Sequence, residues 1–146
     1  MEFSYKYPRM LVTVDSLIFL QNSDNVYTHI LLIQRGNEPY KGSYAFPGGF
    51  PEMDELLSDA AKRELKEETG LSGIELVQLG AFDKPNRDPR DRNIAVAFYG
   101  FTTKENFQIT AGDDADKAEW FPLESLPPLA FDHSEIIQFA REKLGI

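Results

Sequence analysis

The chain has 146 residues, of which 24 are acidic and 15 basic, so its formal charge is −9. That length suits one domain, residues 1–146, burying roughly 68–70% of its unfolded surface without a disulfide or structural metal. The absence of cysteine excludes thiol nucleophiles, zinc knuckles and redox pairs, and the acidic balance argues against a general nucleic-acid binder, which wants a basic face.

The first residues, MEFSYKYPRM, contain no apolar h-region, so they do not read as a signal peptide. No apolar run approaches the roughly 18 residues that span a bilayer. The expectation is a soluble, cytoplasmic protein with no membrane partner. Its charge would oppose a polyanionic ligand unless cations sit between the two.

Taken in chain order, residues 8–20 (PRMLVTVDSLIFL) are rich in β-branched and large apolar side chains and read as a strand. QNSDN at 21–25 is turn chemistry, and residues 26–35 (VYTHILLIQR) form a second strand, pairing with the first as a hairpin. NEPYKGS at 37–43 is a loop. Tyr44-Ala45-Phe46 is a short strand that stops at Pro47-Gly48-Gly49. An amphipathic helix follows, with Asp54 or Ser58 as its N-cap and Gly70 in position for a left-handed C-terminal residue. Residues 74–82 (IELVQLGAF) are a strand, and 83–93 (DKPNRDPRDRN) a charged, proline-punctuated loop. Residues 94–103 form a long buried strand, 111–116 (AGDDAD) an acidic loop and 118–123 a short strand. A closing helix spans 132–144, with Ile136, Ile137, Phe139, Ala140 and Leu144 as its apolar set. A mixed sheet with two principal helices results, an α+β arrangement.

The first helix carries an anomaly. At about 100° per residue, Leu57, Ala61 and Leu65 share an arc of about 80°. Glu68 falls inside it and Glu64 about 20° outside, while Asp59, Lys62 and Lys66 point to solvent. Glu67 stands beside Arg63 at a salt-bridge spacing. Glu64 and Glu68 thus stack one turn apart on the apolar side. Buried carboxylates are costly unless paired or metal-bound, and crowded ones repel. A divalent cation resolves both problems, and magnesium favours one or two carboxylates plus substrate phosphates. The alternative is a solubilising face of Glu and Lys, and spacing alone does not decide between them.

The same residues carry a resemblance. From Gly49 the sequence runs Gly, five residues, Glu55, seven residues, then Arg63-Glu64-Leu65-Lys66-Glu67-Glu68-Thr69-Gly70-Leu71. This resembles the Nudix hydrolase signature with every specified position filled. RGNEPYKGSYAFPGGF before it, PNRDPRDR after it and AGDDAD…AEWFPLESLPPLAFDH beyond resemble the ADP-ribose pyrophosphatase-like branch. The family often has Gly before the first Glu and Ser or Thr after it. Here Asp54 and Leu56 stand there, which bears on the helix start rather than on the site.

The resemblance implies an α/β/α sandwich around a mixed sheet and cleavage of a nucleoside diphosphate derivative by water, assisted by Mg2+ or Mn2+. It assigns Glu64, Glu67 and Glu68 as metal ligands or, for one of them, part of the base machinery. The backbone carbonyl near Gly48 completes the coordination, and Glu55 and Arg63 orient the site. It implies ADP-ribose, or a similar nucleoside diphosphate sugar, as the small-molecule partner. The alternatives are (oxidised) nucleoside triphosphates, and a non-catalytic ADP-ribose-sensing module of the kind that a related branch joins to a DNA-binding winged helix. Residues after about 131 offer only one helix, so no nucleic-acid partner is expected, and all the signature glutamates are kept. Homodimers are common among relatives and one is allowed here.

Substrate selection then falls to the loops. Arg87, Arg90 and Arg92 can meet phosphates bidentately or the terminal ribose. Otherwise they stiffen their own loop through Asp88 and Asp91. Arg35 is a second phosphate candidate. Asp113 or Asp114 can supply the general base, or simply belong to an acidic turn. Tyr40, Phe46, Phe82, Tyr99 and Phe131 are aromatics able to stack a base, Phe46 and Tyr99 reading more as core. His29, Trp120 and His133 read as structural.

Overall fold

The computed structural model describes residues 2–103 and 115–146. Its strands are β1 (Leu11–Gln21), β2 (Tyr27–Arg35), β3 (Tyr44–Ala45), β4 (Gly48–Gly49), β5 (Val77–Phe82), β6 (Asn93–Thr102) and β7 (Ala115–Pro122). The helices are α1 (Leu57–Thr69) and α2 (His133–Leu144). β1 begins three residues later than the apolar run suggests, because Pro8 to Met10 stay exposed and outside the ladder. The hairpin turn between β1 and β2 is built by Asn22, whose Oδ1 accepts the N–H groups of Asp24 and Val26 at 2.9 and 3.0 Å, an Asx turn.

The sheet is mixed. β1 runs parallel to β6 from Leu11–Asn93 to Leu20–Thr102, and β6 is antiparallel to β5. β2 pairs antiparallel with β7. β1 and β2 touch only near their shared turn, from Phe19–Ile30 to Gln21–Tyr27. Beyond that they diverge. β3 joins β2 at Ile33 and Gln34, and β4 joins β1 at Val14 and Asp15. The sheet is therefore two halves hinged at the hairpin, with residues 44–49 wedged into the gap. The sequence reading missed β4, since a Gly-Gly pair has no strand propensity and it pairs here through backbone alone.

Side chains alternate along β1. Val14 and Ile18 face α1, packing with Ala60, Ala61 and Leu65. Leu17 and Phe19 face α2, packing with Phe46, Ile136, Ile137 and Ala140. One helix covers each face, the α/β/α sandwich expected. α1 ends at Gly70 with φ +81°, its N–H bonded to the Lys66 carbonyl, as the C-terminal glycine predicts. Its N-cap is Leu56 and makes no side-chain cap bond, so neither Asp54 nor Ser58 has that role. The turn ahead of the helix is instead organised by Glu55, which accepts the Glu52 N–H. On α2, Phe139 is a correction to the apolar set. It is 46% exposed and leans edge-on against Phe82 at 5.5 Å.

Candidate active site

The carboxylates of α1 lie where the angular reading of the helix puts them. Glu68 is 5% exposed and its Oε1 accepts the N–H of Gly48 at 2.9 Å. Glu64, half-buried, lies near enough for its charge to oppose the ionisation of Glu68. Glu67 lies at the outer edge, half-exposed, 3.3 Å from Arg63. Arg63 is the hub. Its Nε and NH2 form a fork onto Glu55 at 2.8 and 2.9 Å, its NH1 donates to Glu64 at 2.8 Å and its NH2 to the Phe50 carbonyl at 3.1 Å. The bonds from Arg63 and the Glu52 N–H hold the Glu55 carboxyl down at about 2. Glu55 therefore stays an anion that aims Arg63, and Arg63 aims Glu64.

Electrostatically, burial opposes the ionisation of both Glu64 and Glu68. Burial above all, and then the Glu64 charge against the opposing pull of the Gly48 N–H, pushes Glu68 up to about 9. Burial raises Glu64 too, even against Arg63. Asp15, on the facing strand, is raised to about 7 by burial. The glycines permit this approach. A Cβ on Gly49 would come within 2.6 Å of the Glu64 carboxyl carbon, and one on Gly48 within 2.2 Å of the Val14 carbonyl. Among the described residues no three acidic or histidine side chains converge to cage a cation. The donor set on offer is one buried and one half-buried carboxylate beside a glycine backbone, oxygen-rich and negatively charged, and that chemistry fits a hard divalent ion completed by substrate.

These groups open onto a cleft of about 400 Å³, within the usual range for a small-molecule site. Arg35, Arg90 and Phe131 line the same cleft. The guanidinium carbons of Arg35 and Arg90 lie 5.0 and 5.7 Å from the Phe131 ring centre. Arg35 Nε donates to the Pro39 carbonyl at 2.7 Å. Arg90 is steadied by Asp88, with Nε and NH2 donating at 3.0 and 2.7 Å. Burial and the neighbouring Arg90 both lower the Arg35 pKa, the mark of two cations sharing one wall.

The remaining predicted residues divide. Arg87 touches the cleft but is 6% exposed, and its fork is spent on Asp132 at 2.7–3.1 Å. Arg92 donates to the Asp83 carbonyl at 2.6 Å and does not line the cleft. Phe46 lines it, yet stacks on His133 at 4.4 Å. Asp113 and Asp114 lie outside the described residues. Asp15, His133 and Asp132 escaped the sequence reading as site residues. Asp15 had left a signal: an aspartate in the middle of an apolar strand, VTVDSLIFL.

The model of the NUDIX domain family matches residues 11–140. The chain is 44% identical over 135 residues to the ADP-ribose pyrophosphatase of Methanocaldococcus jannaschii, covering 92% of this chain and 75% of that one. It is 37% identical over 143 residues to the ADPR responsive transcriptional repressor NtrR of Acinetobacter baylyi, covering 95% of this chain but only 56% of the repressor. The NUDIX domain of Shewanella oneidensis NrtR, solved with ADP ribose, superposes with a TM-score of 0.85 at 31% identity, over 94% of this chain and 90% of that one. A helix that sets Glu64 and the buried Glu68 against a glycine turn, inside a matching fold and a matching sequence, makes this chain a member of the NUDIX family and a Nudix hydrolase.

Proposed function

We propose that the protein hydrolyses the diphosphate of ADP-ribose, or of a similar nucleoside diphosphate sugar, giving AMP and ribose 5-phosphate from ADP-ribose. The observation that carries this reading is the pairing of Glu64 and the buried Glu68 with Arg35 and Arg90 around one cleft. The 44% identity to an ADP-ribose pyrophosphatase supports the choice of substrate.

Glu64 and Glu68, with the Gly48 backbone, would hold Mg2+ or Mn2+, with Glu67 at the outer edge. A bound divalent ion would neutralise the diphosphate and lower the pKa of a bound water. The protein's own groups supply the rest. Arg63, fixed by Glu55, keeps Glu64 turned into the cleft. Arg35 and Arg90 take diphosphate oxygens from their own wall of the cleft. Water adds to one phosphorus, the bridging P–O bond breaks, and the leaving phosphate departs as an anion toward that wall. The water's proton passes to a carboxylate, for which the signature glutamates and Asp113 or Asp114 are the proposed acceptors.

A panel of ADP-ribose, nucleoside diphosphate sugars and plain and oxidised nucleoside triphosphates, with Mg2+ and with Mn2+, tests this. AMP and ribose 5-phosphate are the expected products. Turnover of triphosphates alone would overturn the substrate assignment. A second reading, ligand response without hydrolysis, is favoured by the likeness to the repressor. Calorimetric binding of ADP-ribose with no product formed would select it.

A further inference from the structure

We propose that Arg87 and His133 are positioning residues, which through Asp132 and Phe46 set the backbone on which Glu68 is hung. Arg87 looks from sequence like a phosphate ligand, but its surroundings assign it differently. It donates three hydrogen bonds to Asp132, 45 residues away, and its side chain is 3% exposed. Asp132 is the N-cap residue of α2, yet makes no side-chain cap bond. An aspartate there ordinarily serves its own helix; this one is turned onto Arg87 instead. Lys84, from the same loop, adds an ion pair to Glu135 at 2.9 Å. The loop after β5 is thereby clamped to the first turn of α2.

The segment leading into that turn is bonded to β3 as well. Tyr44 donates its N–H to the Pro128 carbonyl and accepts the Ala130 N–H, at 3.1 and 2.8 Å. His133 then reaches the wedge. Its Nδ1 accepts the Phe46 N–H at 3.2 Å, and its ring lies parallel to Phe46, 14° off plane. Phe46 sits between β3 and β4, so no ladder partner serves this buried N–H, and a buried donor without an acceptor is costly. With Nδ1 accepting, the ring proton resides on Nε2, which faces Asp15 at 3.7 Å. One residue further, the Pro47 carbonyl accepts the Ser16 N–H at 2.8 Å. Next, Gly48 donates to Glu68. A line of bonds and ring contact thus leads from Arg87 to the Glu68 carboxylate along the wall of the cleft.

The kinetic half of the test rests on the hydrolysis proposed above; the spectral half does not. Variants Arg87→Lys, Asp132→Asn, His133→Asn and His133→Phe are compared with the parent protein. Amide NMR spectra are recorded without substrate, and kcat and KM with ADP-ribose and Mg2+. Lysine keeps the charge but loses the fork. Displacing a reacting group by about 1 Å can cost about 100-fold, so Arg87→Lys and Asp132→Asn are expected to lower kcat by about 10- to 100-fold. KM should stay within about threefold, with the Phe46 and Gly48 amide peaks shifted. His133→Asn, which keeps an acceptor near the Nδ1 position, is expected to retain more of kcat than His133→Phe. A KM raised tenfold or more at unchanged kcat, with those amides unmoved, would overturn the proposal and make Arg87 a substrate ligand. Unmoved amides together with unchanged kinetics would overturn it too. Should the parent not cleave ADP-ribose, the function proposed above fails by itself, and the amide shifts of the two conservative variants still decide the bracket.

Discussion

Glu68 keeps its place against an electrostatic penalty. Removing its charge while preserving its shape separates the two things it does. Glu68→Gln can still accept the Gly48 N–H through its amide oxygen, so the backbone wedge should survive. It cannot supply a full negative charge to a cation. The expected outcome is a fall in kcat by at least about 100-fold, the scale seen when one charge-stabilising group is lost. The metal-free melting temperature should be unchanged or higher, since burial opposes ionisation of Glu68. Steady-state kinetics and a melting curve in EDTA check both parts. Near-normal turnover with Mg2+ would sink the metal-site reading. Neighbouring Gly49 is bound by a different constraint: a methyl group there would occupy the space of the Glu64 carboxylate.

Helix α1 has to be rigid for this arrangement to hold, and Leu65 is the main reason it is. It is 2% exposed and packs with Ile18, Leu31, Leu71 and Ile74, one position from Glu64 and three from Glu68. Leu65→Ala should cost about 2–5 kcal/mol, from lost transfer free energy plus the cavity left behind; urea unfolding measures it. A cost below about 1 kcal/mol would mean that the helix relaxes into the gap. The helix was also the most legible part of the sequence. A period of 3.6 placed Leu65 and Glu68 on one side, and Gly70 marked its end. The loops were less legible, and Arg87, Arg90 and Arg92 show why. All three sit in one short charged segment and look alike in sequence. Arg90 pairs with Asp88 two residues away, which local reading could foresee. Arg87 pairs with Asp132 across 45 residues, and only the packing of the β5–β6 loop onto α2 brings them together. Arg92 finds a backbone carbonyl, a partner with no sequence identity at all. Likewise His133 could be recognised as structural but not as the acceptor for Phe46, because that bond depends on how β3 enters the sheet.

For the molecule as a whole, the buried carboxylates of the cleft set a pH dependence whose sign can be worked out. Glu68 rises to about 9 and Asp15 to about 7, and Glu64 is raised as well, burial being the first cause for each. In the metal-free fold these groups hold protons that the unfolded chain releases in the ordinary carboxylate range. Their contribution to stability is full below that range and is lost as pH rises toward 9. His133, pushed down to about 3 by burial, acts the other way. Its contribution is present above about 6.5 and is lost as pH falls toward 3. Between pH 7 and 9 the carboxylates alone set the trend, so the melting temperature in EDTA should fall. Saturating Mg2+ should reduce that fall, because a cation takes the place of the protons. Melting curves at both pH values, with EDTA and with Mg2+, measure the difference. An equal fall under both conditions would show that Mg2+ does not neutralise these carboxylates.

The wedge between β1 and β2 has a consequence for how the chain can change in length. Tyr44 and Ala45 read their register from β2, and Gly48 and Gly49 read theirs from β1. Phe46 and Pro47 alone separate these two pairings along the stretch, so it is a ruler with both ends clamped. One residue added or removed inside it would pull Gly48 out of step with Val14 and Asp15 and away from Glu68. The loop at 36–43, by contrast, only joins β2 to β3 outside the ladder, and it is mostly exposed at its tip. Variation in length among related chains should therefore gather in that loop and leave the stretch from Tyr44 to Gly49 constant, whatever substrate a given chain has come to accept.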